Sequence, residues 1–250
     1  MYTREKNPIE ITAMRESGRI LATVLELLKN SVKPGMSTMD LNDIAAKELK
    51  SLGGQPAFLG YQGFPAVLCV SLNDEVVHGI PSKDRIINDG DIVSLDFGVI
   101  IDSMITDAAI SVIVGQPKSE EDVRLVKMTE KSLLDGINVI KPGVKVGEIS
   151  EAIQKRLDTN KFGIVRDLVG HGVGHNLHED PNIPNYGHRG EGPVLKKNMT
   201  IAIEPMATLG GYSVVLGNDG WTILTSDGSR SAHFEHTVLI TENGAEILTR

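Results

Sequence analysis

One pattern occurs twice in this 250-residue chain and limits what it can fold into. Ile9, Ala13, Ile20, Leu21, Val24, Leu27 and Leu28 recur at helical spacing with Arg15, Glu16, Arg19, Glu26 and Lys29 between them, which predicts an amphipathic helix over 9–30. The turn Lys33-Pro34-Gly35 follows, then a second apolar-periodic stretch through Leu41, Ile44, Ala45 and Leu49. At Lys141, 108 positions beyond Lys33, the same order returns. Leu125, Met128, Leu133, Leu134, Ile137 and Val139 lead into Lys141-Pro142-Gly143, then Glu148, Ile149, Ile153 and Leu157. In this alignment Asp40-Leu41 meets Glu148-Ile149, and Asp43 meets Glu151. A lone Lys-Pro-Gly would mean nothing, but a turn flanked by two helical registers in the same order reads as an internal duplication.

β-rich sequence follows each helix pair. The runs 66–71, 91–101 and 104–114, and then 199–206, 212–216 and 234–240, are rich in Val, Ile, Leu and Phe. Gly210-Gly211, Asn218-Asp219-Gly220 and Asp227-Gly228 punctuate the second set. The expected fold class is α+β, with two halves at about 9–115 and 120–247 that each lay helices on a mainly antiparallel sheet. A pseudo-twofold axis would relate them within one domain spanning 1–250, and the cleft at their junction is the natural ligand site.

The balance of 25 Lys and Arg against 33 Asp and Glu, a net charge of −8, argues against a sequence-independent nucleic-acid binder. Hydrophobic residues at 40% and charged ones at 23% are those of a soluble globular protein. Cys69 is the single cysteine, so neither an intramolecular disulfide nor a thiolate zinc cluster can form, which suits a reducing cytoplasm. The first residues carry charges where a signal peptide needs an apolar core, and apolar stretches such as 20–24 fall far short of a membrane span. A cytoplasmic protein without membrane contact is expected, and monomer is the default.

Acids in apolar strands supply the chemistry. Asp96 closes Ile92-Val93-Ser94-Leu95, Asp107 follows eleven residues later on the far side of a predicted hairpin, Glu204 ends Ile201-Ala202-Ile203, and Glu235 lies within Phe234-Glu235-His236-Thr237. A buried carboxylate is costly unless paired, protonated or bound to a cation. No Lys or Arg partner is evident in the surrounding sequence, whereas two divalent cations would match four carboxylates charge for charge. Any one of these acids taken alone also reads as a strand end reaching solvent. His171, in Gly170-His171-Gly172-Val173-Gly174, sits on a Gly-rich turn that lets backbone approach a ligand closely. His78 and His178 occupy similar loops, while His188, His233 and His236 read as ordinary surface or hydrogen-bonded histidines. The glycine run lacks the Lys-Ser/Thr of a phosphate loop and does not match Gly-x-Gly-x-x-Gly, and no Gly-x-Ser-x-Gly elbow occurs.

In order along the chain, Asp96, Asp107, His171, Glu204 and Glu235 closely resemble the five metal ligands of the type I methionine aminopeptidases. Tyr61-Gln62-Gly63-Phe64-Pro65, Cys69-Val70-Ser71-Leu72-Asn73, Val77-His78-Gly79-Ile80-Pro81, His178-Glu179-Asp180-Pro181 and Ile203-Glu204-Pro205 resemble that family as well, so the likeness covers essentially the whole chain. It implies the pita-bread fold and removal of the initiator methionine from nascent polypeptides, with a small second residue preferred. It implies two divalent ions (Co, Mn, Fe, Zn or Ni), with Asp96 chelating one, Asp107 and Glu235 bridging both, and His171 and Glu204 completing the second. A hydroxide between them would attack the first peptide bond, Glu204 shuttling a proton, His178 bonding the carbonyl oxygen and His78 meeting the amide nitrogen. The resemblance assigns the methionine pocket to Phe58, Tyr61, Phe64, Cys69, Leu177 and Trp221, beside His78 and His178. Ribosome contact, for which Lys196-Lys197 is one candidate patch, belongs to the same set of expectations.

Three departures stand out: Leu177 where the family usually has an aromatic, Phe58 where something small is usual, and a 101–106 hairpin without the usual Asp-Gly. Two rivals follow from the same pattern. Aminopeptidase P and prolidase share a similar ligand set but add an N-terminal domain, and type II methionine aminopeptidases need a helical insertion for which the 26 positions from His178 to Glu204 leave no room. A pita-bread binding module without catalysis would usually have lost ligands, and here all five positions are filled.

Overall fold

The computed structural model describes residues 3–141 and 143–250; Pro142 of the second Lys-Pro-Gly turn lies outside the described residues. The first predicted helix is α1 (Pro8–Ser31), which starts where the Asn7 side chain accepts the N–H groups of Ile9 and Glu10 while the Glu10 carboxylate accepts the N–H of Asn7. Its buried stripe runs from Ala13 to Leu28; Ile9, on the turn ahead of that stripe, and Leu27, at its margin, are exposed, unlike the other residues of the predicted apolar face. α2 (Thr38–Ser51), α3 (Glu120–Asn138) and α4 (Val146–Thr159) are the other three predicted helices.

The main sheet has nine strands: β1 (Gln55–Pro56), β2 (Leu68–Leu72), β3 (Ile92–Ile101), β4 (Met104–Ile113), β5 (Gly170–Gly172), β6 (Glu179–Ile183), β7 (Thr200–Ile203), β8 (Glu235–Thr241) and β9 (Gly244–Ile247). Their order is β1-β3-β4-β8-β7-β5-β6, with β2 also on β3 and β9 also on β8, all antiparallel. The halves join where β4 pairs β8, Ala109 opposite Glu235. Asp102 and Ser103 connect β3 to β4 with φ of 47° and 64°, so this two-residue turn adopts the left-handed geometry a tight hairpin needs without Asp-Gly.

The duplication extends well beyond the helices. Isolated bridges join Ser37 to Ile86 and Lys145 to Val194, each partner 108 positions from its counterpart. Left-handed backbone recurs on the same offset at Gly35 and Gly143, at Gly53 and Lys161, and at Gly90 and Asn198. The cores correspond too: Leu41, Ala45 and Leu49 pack with Val93 and Leu95 in one half, and Ile149, Ile153 and Leu157 with Ile201 and Ile203 in the other.

Strand alternation then decides which face carries chemistry. Val93, Leu95, Phe97 and Val99 turn toward α1 and α2, so Asp96 between them must face the opposite side. Two smaller three-stranded sheets flank that side: Gly163–Ile164 with Met206–Thr208 and Ser231–His233, and Glu75–Val77 with Ile223–Thr225 and Val214–Leu216. The latter draws one strand from the first half and two from the second, and brings the rings of His78 and Trp221 to 6.5 Å.

Candidate metal centre

Register alone gathers the acids. Asp96 and Glu235 both pair with Ala109, and Asp107 lies two positions from Ala109, so all three share a face. His171 pairs with Ala202, which pairs with Thr237, two positions from Glu235. Glu204 follows Ala202 by two, just past the end of β7. All five predicted ligands therefore converge on the helix-free face, and all five line one cavity of about 200 Å³.

Single ligand atoms of Asp107, His171 and Glu235 lie within 4.8 Å of one another. His171 Nε2 is 3.4 Å from Glu204 Oε1, and Asp96 neighbours Asp107 closely enough for their carboxyl groups to share a hydrogen bond. Among the described residues no Lys or Arg pairs with any of the four acids, and Asp96 Oδ1, Asp107 Oδ1 and Glu235 Oε1 are buried without a hydrogen-bond partner. Burial pushes Asp96 up to about 7 and Glu204 up to about 8. Burial and then the neighbouring carboxylates push Asp107 and Glu235 well above the ordinary range. The cluster is thus too deeply buried, and too crowded with acid, to ionise fully by itself, and orphaned oxygens from both halves point into one space. That donor set fits divalent cations.

The imidazole fits them as well. His171 Nδ1 lies 2.9 Å from the carbonyl of Gly172, which can only accept, so the ring proton sits on Nδ1 and Nε2 offers its lone pair to the cavity. Burial holds His171 down to about 3, keeping it neutral.

The remaining predicted residues form the cavity's other walls. Phe58, Phe64, Cys69 and Leu177 make a buried apolar cluster with Tyr61 and Trp221 packed against it, and the Phe64 and Trp221 rings meet edge to face at 5.1 Å. Burial and then the nearby acids push the Cys69 thiol well up, so it stays protonated. His78 stands at φ 61°, a conformation held by its neighbours: the Gly79 N–H donates to Ser71 Oγ, and a Cβ on Gly79 would come within 2.3 Å of the Val70 carbonyl. Burial lowers the His78 pKa to about 4. The His178 ring lies against that of His171, centroids 4.3 Å apart and planes tilted by 58°.

Sequence reasoning missed two residues. Gln62 lines the cavity from the exposed turn Tyr61–Gly63. His233, read as ordinary, is buried with its Nε2 3.5 Å from Glu204 Oε2 and neither ring nitrogen hydrogen-bonded. A signal existed: His233 precedes Glu235 by two, the spacing that puts neighbours on one face of a strand. His175, four residues after His171, turns away and meets Glu10 Oε1 at 2.9 Å.

Comparison with known proteins bears on this geometry. The sequence pattern of metallopeptidase family M24 matches residues 12–242. The chain belongs to metallopeptidase family M24. Methionine aminopeptidase 1 of Bacillus subtilis is 48% identical over 245 residues, covering 98% of each chain. The crystal structure of methionine aminopeptidase from Thermotoga maritima superposes with a TM-score of 0.97 at 48% identity, covering 99% of both chains. Prolidase from Pyrococcus furiosus, at 24% identity and a TM-score of 0.78, shares the fold alone and is longer, this chain spanning 65% of it. The architecture is the pita-bread fold that the resemblance implied, its two halves agreeing with the duplication; this M24 protein is a metallopeptidase, and the family implies a divalent metal. No helix among the described residues is long and apolar enough to cross a membrane.

Proposed function

We propose that this M24 metallopeptidase is a methionyl aminopeptidase, removing the initiator methionine from polypeptides whose second residue is small. The observation that carries the reading is an apolar sleeve ending at an acid-rich centre within one cavity. A methionine side chain suits the sleeve, where thioether sulfur packs against aromatic edges, and the full-length likeness to methionine aminopeptidases supports the same substrate.

Asp96, Asp107, His171, Glu204 and Glu235 would hold two divalent ions drawn from Co, Mn, Fe, Zn and Ni, four carboxylates balancing their charge. When bound, such ions acidify a water and polarise the scissile carbonyl. The Glu204 carboxylate accepts the proton released and delivers it to the leaving nitrogen. His178 donates to the carbonyl oxygen as negative charge develops, and His78 meets the scissile amide nitrogen. Phe58, Tyr61, Phe64, Cys69, Leu177 and Trp221 exclude water from the methionine side chain and fix the bond to be cut. The reading takes 1–250 as one catalytic domain, a cytoplasmic monomer that meets nascent chains, with ribosome contact as a further expectation.

Purified protein supplied with each ion in turn should release methionine from Met-Ala-Ser and not from a peptide with a bulky second residue. Preferential cleavage of Ala-Pro peptides would instead make it a proline-directed relative and overturn the assignment.

A further inference from the structure

Tyr61 reaches from the first half to a histidine of the second. Its hydroxyl lies 2.8 Å from His178 Nδ1, and the two rings sit 5.4 Å apart at 43°. Both partners are held by their own surroundings. The Tyr61 N–H donates to the Phe58 carbonyl, the Gly60 N–H to that of Phe64, and the Phe64 side chain anchors the turn against Trp221. On the other side, Glu179 Oε1 accepts the N–H groups of His175 and Asn176, tying down the loop that carries His178. The contact is thus set by two fixed pieces of backbone, one from each half.

A phenol is a ready O–H donor and an unprotonated ring nitrogen a good acceptor. With Nδ1 accepting from Tyr61, the one proton of a neutral imidazole must sit on Nε2. The neighbouring ring is set the other way: His171 Nδ1 faces the Gly172 carbonyl, which leaves a lone pair on its Nε2. Two imidazoles 4.3 Å apart thus face different partners through Nδ1, a carbonyl for one and a hydroxyl for the other.

We propose that Tyr61, besides lining the apolar sleeve, is a positioning residue that fixes His178 with its proton on Nε2, so that this ring presents a donor where its neighbour presents an acceptor. The consequence for turnover rests on the aminopeptidase reading of His178; the tautomer does not.

The test pairs ring-nitrogen NMR with kinetics on the full chain. At about pH 8, where a histidine of ordinary pKa is neutral, His178 should appear protonated at Nε2, and Tyr61→Phe should shift it toward a mixture of tautomers. The variant keeps the ring, so KM for Met-Ala-Ser should stay within about twofold while kcat falls roughly tenfold, less than the loss of a whole oxyanion donor. In a His178→Ala background the same substitution should change kcat by less than about twofold, because its effect travels through that ring. A proton on Nδ1 in the unaltered protein, an unchanged tautomer in Tyr61→Phe, or an equal loss in the His178→Ala background would each overturn the proposal. Absence of methionine release with the stated tautomers intact would defeat the aminopeptidase reading and leave this inference standing.

Discussion

The two halves agree where they are buried and differ where they are looped. Helices, core residues, isolated bridges and left-handed turns keep the 108-position offset, and so does one pair of acids, Asp96 and Glu204. The loops do not. Gly63, on the exposed turn beside Tyr61, corresponds to the buried ligand candidate His171, and His78 corresponds to Tyr186. Eleven positions separate Asp96 from Asp107 but 31 separate Glu204 from Glu235, and the extra length holds the Val214–Leu216 and Ile223–Thr225 hairpin with Trp221 at its turn. A packed scaffold tolerates little change in volume, whereas a surface connection accepts insertions at small entropic cost. Symmetry thus built the frame and two opposed acids, and divergence of the loops made one side a sleeve and the other a histidine cluster.

Breaking the junction should have the largest effect. Asp107→Asn removes a first-half carboxylate from a cluster that needs both halves, and kcat/KM on Met-Ala-Ser should fall at least about 10³-fold, the scale of several kcal/mol of charge stabilisation. Calorimetry should show weakened divalent-ion binding, while the metal-free protein should unfold at an equal or higher temperature, since one orphaned acid has gone.

Among the described residues, the N-terminal segment ahead of α1 bonds to the second half. The buried Lys6 ammonium donates to Thr3 Oγ1 at 2.7 Å, the Arg4 carbonyl at 3.0 Å and Glu179 Oε2 at 3.4 Å, next to His178. Lys6→Met should leave Glu179 buried without its cation and cost about 3 kcal/mol, measurable by urea unfolding. An unchanged midpoint would mean that this tether holds nothing.

Burial of acids at the junction predicts a direction with pH. Asp96 and Glu204 keep their protons up to about 7 and about 8 in the folded protein, whereas the unfolded chain loses them near 4. The folded state binds more protons across that window, so metal-free stability falls as pH rises from about 4 toward 8, by up to about 1.4 kcal/mol per pH unit for each group. Thermal unfolding in chelator should show the decline, and divalent ions should flatten it.

The smallest effects compare equivalent helix starts. Ser37 accepts the Asp40 N–H and donates to its carboxylate at the head of α2, but its counterpart Lys145 makes no side-chain bond to the first turn of α4, and Glu148 Oε2 is buried unpartnered. Ser37→Ala should cost about 1 kcal/mol, and Lys145→Ser should add about 0.5 kcal/mol by completing the box with Glu148. Chemical denaturation of both variants measures the pair; a loss in each would show that Lys145, through its bond to the Gly190 carbonyl, already does the capping work another way.

Much of this was legible in the residues. The repeated turn and helical periods predicted four helices and two halves, and acids closing apolar runs marked Asp96 and Glu204 because a carboxylate is out of place there. His233 and Gln62 were not recognised: one looks like any strand histidine until Glu204 is found beside it, and the other sits in a turn whose direction local sequence leaves open. The misjudged exposure of Ile9 and Leu27 has the same origin, since periodicity gives a helix an apolar side without saying where a neighbour begins or ends.

What the chain alone determined was local and periodic: where helices start, which strand residues alternate, and that its two parts share a plan. Which residues meet across 130 positions of sequence, as Asp107 and Thr237 do, was decided only by the pairing of β4 with β8. The same is true of the different Nδ1 partners of His171 and His178. Hydrophobic period is a property of neighbours in sequence, whereas carboxylate crowding and the partner of each ring nitrogen exist only once distant strands lie side by side.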